Sequence, residues 1–588
     1  MQRHRMGRRN RFLINPCVPA VVLVVVPVVV PVAVPIACVG RACVAQAESS
    51  SVNRSPRPDR RVTAARSLPM SVPPPAHSHD TSQLHDDAVA AYQAGRLDAV
   101  QTLIDRILLL DGEHVGALHL QGLLALAAGQ LRDAQHWLER ALQIRPEPIL
   151  YNTLYAIRLR LSDFAGAVHS LREGLAMQPD FVALHYNLAL TLQHLDRLED
   201  AALSYRRTLE LDPHHSAAHN NLGRIYADLG AAEDAERHYR RAIELASANF
   251  VARNNLAMLL LAAGRYTEGW PYFEDRWVSF RQADGRPARV PVQVALPRWS
   301  GEEQCVSHGT QAGRAPAERL LVLDEQGYGD SLQFVRYLPL ALARFSHVGY
   351  VCPPPLRRLY EQSLCARWPR LVLLDAVPAD LRGWDCYCPL MSLPMAFATR
   401  VATIPAPLPY LYADAARTAA WRARFDALPA EHLPRVGVVW AGGHSGIAVD
   451  RLRSLAIAQI APLLALRQVR WVSLQKTDDP AKLADAASKA RLIDWTDELA
   501  DFADTAALID NLDLVISVDT SVAHLAAAMG KPVWLLNRFA GCWRWLRGRD
   551  DSPWYPGLRL FTQTQRGDWD DVLVRVAAAL QQSFPPIA

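Results

Sequence analysis

Zinc-type cysteine spacing is missing from this chain of 588 residues, whose nine cysteines include no CxxC pair. That removes zinc-ribbon chemistry. Cys386 and Cys388 form a lone CxC that reads as structural, and Cys17, Cys38 and Cys43 fall near the start. Free thiols in a reducing compartment are the expectation. Charge of one sign is also lacking. Lysine and arginine number 63 against 59 acids, a net of +4, and the arginines are interleaved with acids, which excludes a nucleic-acid surface. An unbroken apolar run is absent too. Pro16–Gly40 carries no charge, but Pro27, Pro31 and Pro35 interrupt it, a poor recipe for a spanning helix. Arg3–Arg11 is basic, and Ala45-Gln46-Ala47 resembles a cleavage site. Residues 1–47 therefore read as a signal-like leader, an anchor, or sequence upstream of the working start codon.

What is present is ordinary globular material, half hydrophobic and 21% charged, enough for two to four domains. Residues 48–80, rich in Ser, Pro, Arg and His, read as a disordered linker. A repeat occupies 81–280. Gly95, Gly129, Asp163, Asp196, Gly230 and Gly264 recur every 33 or 34 residues at turns between helical patterns. Ala134, Ala167, Ala201 and Ala235 keep the same phase where two helices must approach closely. This resembles the tetratricopeptide family, whose helix pairs stack into a superhelix with a concave groove. Asn187, Asn220, Asn221, Asn254 and Asn255 recur at that period. They suit either an extended peptide backbone in the groove or packing between repeats.

Residues 281–316, rich in Arg, Pro and Gly, read as a second linker. Strands and helices then alternate. Leu320–Asp324 predicts a strand, followed by Glu325-Gln326-Gly327-Tyr328-Gly329-Asp330 and a helix to Phe345. Strands at Val348–Val351 and Leu371–Leu374 follow. After the proline-rich Pro405–Pro409 the series restarts, with strands at Val436–Trp440, Trp471–Gln475 and Leu514–Val518. The expected fold is thus an α-solenoid followed by two Rossmann-like α/β lobes, 317–410 and 411–588, facing a cleft.

Three loops fall at strand ends, where such sheets bind ligands. Gly327-Tyr328-Gly329-Asp330 lacks the third glycine of a dinucleotide fingerprint. Asp330 either stands over the cleft or caps a helix. Gly442–Ser454 holds His444, Asp450, Arg451 and Arg453. Its arginines suit phosphate oxygens, or else a solvated surface. Asp519-Thr520-Ser521 opens an alanine-rich helix stopped at Gly530, so free backbone N–H groups suit a diphosphate. His524 lies one turn on. The plainer alternative is that Asp519 and Thr520 cap the helix and His524 packs beneath it.

Asp519-Thr520-Ser521-Val522-Ala523-His524 followed by Gly530-Lys531-Pro532 resembles the signature of the lipopolysaccharide heptosyltransferases, glycosyltransferase family nine. The chain is still more similar to bacterial proteins in which tetratricopeptide repeats precede such a domain. Their phrases stand here as Glu325–Asp330, Asp501–Ala506 and Asp550–Pro556. The resemblance implies a GT-B fold and an inverting transfer with no obligatory metal and no cofactor beyond a nucleotide-diphosphate sugar donor. It implies a general base at Asp330, with Gly327, Gly329 and Gln333 on the acceptor side. Donor contacts would come from Asp519, Thr520, Ser521 and His524. Two departures matter: Gln333-Phe334 replaces a His-Thr pair, and Arg451 or Arg453 must take the place of an expected lysine. The implied partners are the nucleotide-sugar, an acceptor glycan or protein, and a peptide or protein in the repeat groove. A cytosolic donor favours a cytoplasmic location, with membrane contact through the apolar leader as the alternative. The order of repeats and transferase also resembles protein O-linked N-acetylglucosamine transferases, and a non-catalytic scaffold with a vestigial transferase domain is the reading from another class.

Overall fold

A computed structural model describes residues 77–278, 294–302, 318–325, 327–429, 433–442, 448–476 and 492–585. The leader, most of both linkers, Gln326 and the loop segment containing His444 lie outside the described residues. Among them the chain divides into two compact units, one ending at Ala218 and one beginning at His219.

The first unit is all helix. Four antiparallel pairs run from His77–Gln93 and Leu97–Leu110 to Val182–His194 and Leu198–Leu211. Each pair buries its apolar stripe against its own partner and the next pair, the only way so thin a layer can form a core. The repeating alanines Ala134, Ala167 and Ala201 are wholly buried. The turns need a left-handed residue, supplied by Gly95 (φ 70°) and Gly129 (φ 79°), then Asp196 (φ 63°). At the remaining turn the expectation fails by one residue. Ser162 takes φ 60°, and Asp163 instead caps the next helix, accepting from Gly166 N at 2.9 Å. The Asp163 carboxylate serves better as a cap than in the turn. Asn187 Nδ2 donates to Asn152 Oδ1 at 2.7 Å, which is the packing role.

The second unit begins within the helix Ser216–Asp228, which pairs with Ala232–Leu245, and a further pair is Phe250–Ala262 with Tyr266–Phe273. Asn255 donates to Asn220 (2.9 Å) and Asn220 to Asn221 (3.1 Å), so these asparagines also bond one another. Asn254 is buried with no partner for its Oδ1 among the described residues.

Two parallel sheets follow. The first contains β1 (Arg319–Leu323), β2 (His347–Val351), β3 (Leu371–Leu374) and β4 (Cys386–Pro389), in the order β3-β2-β1-β4. The second contains β5 (Arg435–Val439), β6 (Arg470–Ser473), β7 (Ile493–Asp494), β8 (Leu514–Val518), β9 (Val533–Asn537) and β10 (Leu558–Thr562), in the order β10-β9-β8-β5-β6-β7. Burial on both faces explains their continuous apolar runs. Strand order reverses between β1 and β4 and between β5 and β8, and at such switch points a crevice opens beyond the strand ends. The helix expected to reach Phe345 is broken into Tyr328–Phe334, a tight turn Val335–Tyr337 and Leu338–Arg344. Pro339 lacks the N–H that would continue it. Inside the stretch read as a linker, Trp299 N donates to Tyr387 O at 2.8 Å and Tyr387 N to Pro297 O at 3.0 Å. This segment therefore extends the β4 edge of the first sheet.

One core joins the last repeat helix to both lobes. Tyr266, Trp270 and Phe273 meet Phe334 of the first lobe and Trp543 and Trp554 of the second. Trp270 and Trp543 are 5.5 Å apart and edge-on, and Trp554 Nε1 donates to the Tyr266 hydroxyl at 3.0 Å. Trp554→Ala should therefore cost about 3–5 kcal/mol. Hydrogen exchange should quicken in both Tyr266–Phe273 and Tyr328–Arg344; protection unchanged in either segment would contradict a shared core.

Candidate active site

The chain leaves β1 into Asp324 and Glu325 and turns at Gly327 into the short helix Tyr328–Phe334. Asp330, in its first turn, accepts from Gly327 N through Oδ2 at 3.1 Å. The helix-capping role is therefore real, yet it occupies only one oxygen. The other forms an ion pair with Arg544, which stands on the tight turn Trp543–Trp545 of the second lobe.

β8 ends in Asp519, and the helix Ser521–Ala528 begins two residues later. Thr520 precedes it with extended backbone and provides no side-chain cap; its hydroxyl bonds Ser517 Oγ at 3.0 Å instead. The first N–H groups of this helix thus donate no hydrogen bond to that side chain, as an anion site requires. Arg453 reaches across from the short helix Ala448–Arg453. One η nitrogen donates to the Asp519 carbonyl at 2.7 Å, and the other pairs with Asp450 at 2.5 Å. Arg451 on the same helix is exposed and makes no ion pair among the described residues.

The first and third loops meet directly. Helix Tyr328–Phe334 packs against helix Ser521–Ala528. A Cβ placed on Gly329 would lie 3.0 Å from His524 Cδ2 and 3.6 Å from Ser521 Cα. Tyr328 and Phe502 meet edge-on at 5.3 Å, while Arg358 of the first lobe pairs with Asp501 and Asp504 of the second at 2.6 and 2.8 Å.

His524 is buried rather than open to the cleft. Its Nδ1 bonds the Tyr555 hydroxyl at 2.9 Å, its ring stacks on Trp545 at 5.0 Å, and its Nε2 lies 3.9 Å from Asp519 Oδ1. Burial first, and then the charges of Arg544, Arg336 and Arg453, hold its pKa well below 6.5. It is a neutral support beneath Asp519. Gln333 is wholly enclosed, and neither of its amide atoms has a partner among the described residues. Arg544 and Arg336 had no periodic or motif signal of their own, and Tyr555 had only its place in the phrase Asp550–Pro556.

With this geometry in view, the similarities fall into place. A tetratricopeptide repeat model matches residues 157–215, 195–250 and 221–287. The model of glycosyltransferase family 9 (heptosyltransferase) matches residues 498–536, the segment from Glu498 through β8 and its helix into β9. The protein FlbA of Caulobacter vibrioides is 28% identical over 476 residues, covering 76% of this chain and 70% of FlbA. Among solved structures, YrrB, a TPR protein with an unusual peptide-binding site, is 19% identical with a TM-score of 0.27, covering 30% of this chain and 95% of YrrB. PilF of Pseudomonas aeruginosa is 12% identical with a TM-score of 0.32, covering 33% and 90%. MamA is 19% identical with a TM-score of 0.26, covering 27% and 94%. No helix among the described residues is long and apolar enough to cross a membrane.

Two outcomes follow from these contacts. Gly329→Ala should push the lobes apart at His524 and destabilise by about 1–3 kcal/mol, read as a lowered unfolding midpoint. His524→Phe should lose about 1 kcal/mol at pH 8 with the hydrogen bond to the Tyr555 hydroxyl. As pH falls through 6.5, the unfolded wild type takes up a proton that folded His524 refuses, so the stability supplied by the neutral ring drains away. The gap between the two proteins should therefore narrow with acid; a constant gap would contradict a buried neutral ring.

Proposed function

We propose that this chain, which combines tetratricopeptide repeats with a glycosyltransferase-family-9-like domain, is an inverting glycosyltransferase. It moves a sugar from a nucleotide-diphosphate donor to an acceptor hydroxyl. The observation carrying this reading is the close approach of Gly329 to Ser521 and His524, with the helix that bears Asp330 packed against the helix that follows β8. That supports a site in which a carboxylate of the first lobe works with the uncapped helix start of the second. On this reading 317–410 is the acceptor side and 411–588 the donor side.

The chemistry assigns each group a task. Asp330 takes the proton of the acceptor hydroxyl as its oxygen attacks C1. The C1–O bond to phosphate breaks on the opposite face and the diphosphate leaves with the electron pair, inverting the anomeric centre. Ser521, the Thr520 hydroxyl and the N–H groups at the helix start hold the departing charge, with Arg453 beside them. Asp519 meets sugar hydroxyls, and His524 fixes its position from below. Arg451, exposed on the same helix as Arg453, reaches the phosphates from the rim. Gly327, Gly329 and Gln333 shape the acceptor side. The repeats recruit the acceptor, a glycan or a protein, or a partner that carries it.

A thermal-shift and hydrolysis screen of UDP-, GDP- and ADP-sugars tests this, with CMP-sugars as the single-phosphate contrast. One diphosphate donor should stabilise the protein and turn over slowly. Asp330→Ala should lower turnover by about 10²–10⁴-fold and still bind, whereas Asp519→Ala should lose donor binding. No stabilisation by any nucleotide-sugar would sink the reading.

A further inference from the structure

Arg544 has a role that neither the motifs nor the family likeness assigns. One η nitrogen pairs with Asp330 Oδ1, the other donates to Cys542 Sγ at 3.1 Å, and Nε has no partner among the described residues. The guanidinium lies 4.8 Å from the Trp543 ring centre and 5.8 Å from that of Phe334. Only 11% of its side chain is exposed, against 19% for Asp330. A guanidinium in such a place keeps its proton and stays a fixed cation. Burial works against that charge, but Asp330, Cys542 and Asp519 more than offset it. Arg544 thus lies within electrostatic reach of both acids, one from each lobe.

The pairing creates a difficulty for a proton acceptor. One Asp330 oxygen is engaged by Arg544 and the other by Gly327 N–H. Two of the four lone-pair sites of this carboxylate are thus taken, one of them by a buried cation that an acceptor hydroxyl would have to displace or share. We propose that Arg544 is a shared counter-ion, which engages Asp330 in the empty site and turns to the donor's diphosphate when it binds, releasing Asp330 for the acceptor. Donor must then bind before the acceptor can be deprotonated, and the same cation that guarded the base stabilises the leaving group. This rests on the transferase reading and adds to it a donor-contacting residue and an order of binding.

Calorimetric titration of the full chain with UDP, GDP, ADP and inorganic pyrophosphate tests the exchange, because Asp330 and the diphosphate would compete for one cation. Asp330→Asn should bind the diphosphate about tenfold tighter, and Arg544→Gln about tenfold or more weaker. The double variant should be as weak as Arg544→Gln alone. Unchanged or weaker binding in Asp330→Asn overturns the inference and leaves the transferase reading standing. A gain that persists in the double variant means plain repulsion between Asp330 and the ligand, and also overturns it. If wild type binds none of the four, the transferase reading falls and this falls with it. Should Arg544→Gln fail to fold, Arg544→Lys replaces it and the Asp330→Asn arm still decides, since asparagine can keep the Gly327 bond.

Discussion

The arrangement of the two lobes depends on one buried cation, Arg336. Its guanidinium donates to Gln333 O at 2.8 Å, Trp554 O at 2.6 Å, Pro405 O at 3.2 Å and the Tyr410 hydroxyl at 2.9 Å. The rings of Tyr555, Tyr410 and Trp554 lie 4.5, 4.8 and 5.5 Å from its central carbon. No carboxylate answers this charge among those contacts; carbonyl dipoles, a phenol and aromatic faces do. These groups come from the first lobe, the joint and the second lobe, so a change in their relative position would strand a buried charge. From Arg336 the constraint runs to Tyr555, from Tyr555 to His524, and from His524 to Gly329. The loop bearing Asp330 is held against the opposite lobe by this chain of contacts.

A second buried arginine ties the end of the repeats to the same loop. Arg276, in the turn Glu274–Trp277 after the last repeat helix, grips Glu325 through Nε at 2.8 Å and Nη2 at 2.9 Å. Glu325 also accepts from Met391 N at 2.8 Å. Its side chain is wholly buried, as is nearly all of Arg276, so removing Arg276 would strand a buried carboxylate, whereas Arg276 also pairs with Glu274 at 3.0 Å. Glu325 stands five residues before Asp330. The final helix pair is thus structurally part of the α/β unit, through this ion pair and through the aromatic core around Trp270. A division of the chain at a linker, reasonable from its Arg, Pro and Gly content, overlooks Pro297–Trp299 on the sheet edge and the aromatic residues that bind it.

Much of the fold was legible because its signals are periodic. Six turns at constant spacing specify helix pairs, and apolar runs ending in Asp324 or Asp519 specify parallel strands. Short elements lacked such signals. β4 is four residues closed by Pro389, and β7 is only two residues long. The candidate site was legible where its residues lie in contiguous motifs at strand ends, as with Asp330 and Asp519-Thr520-Ser521. It was illegible where a residue acts through a distant partner. Arg544 is 214 positions from Asp330, and nothing in Trp543-Arg544-Trp545 announces that pairing. His524 was legible as a motif residue but not as a buried one, because the rings that enclose it come from Trp545 and Tyr555.

Of the three carboxylates that follow β1, Asp324 and Asp330 have surroundings that separate their roles. Burial pushes the Asp324 pKa up to about 6, the Asp330 charge adds to this, and hydrogen bonds from Tyr350 and Ser331 oppose it. By proton affinity alone Asp324 would suit a base working near neutral pH. Its geometry argues otherwise. Asp324 Oδ1 accepts from the Tyr350 hydroxyl at 2.6 Å, and that hydroxyl also bonds Ser331, which bonds Tyr360. Asp324 is therefore anchored within the first lobe by a network that ends in two buried tyrosines. Asp330 makes its ion pair with the opposite lobe. On the proposed reading, a donor carried by the second lobe would bring its reacting carbon from that side, so the acid already touching that lobe is the better candidate for the base. Asp324 serves by holding Ser331, the residue next to Asp330, and so setting the angle at which the helix start meets the cleft.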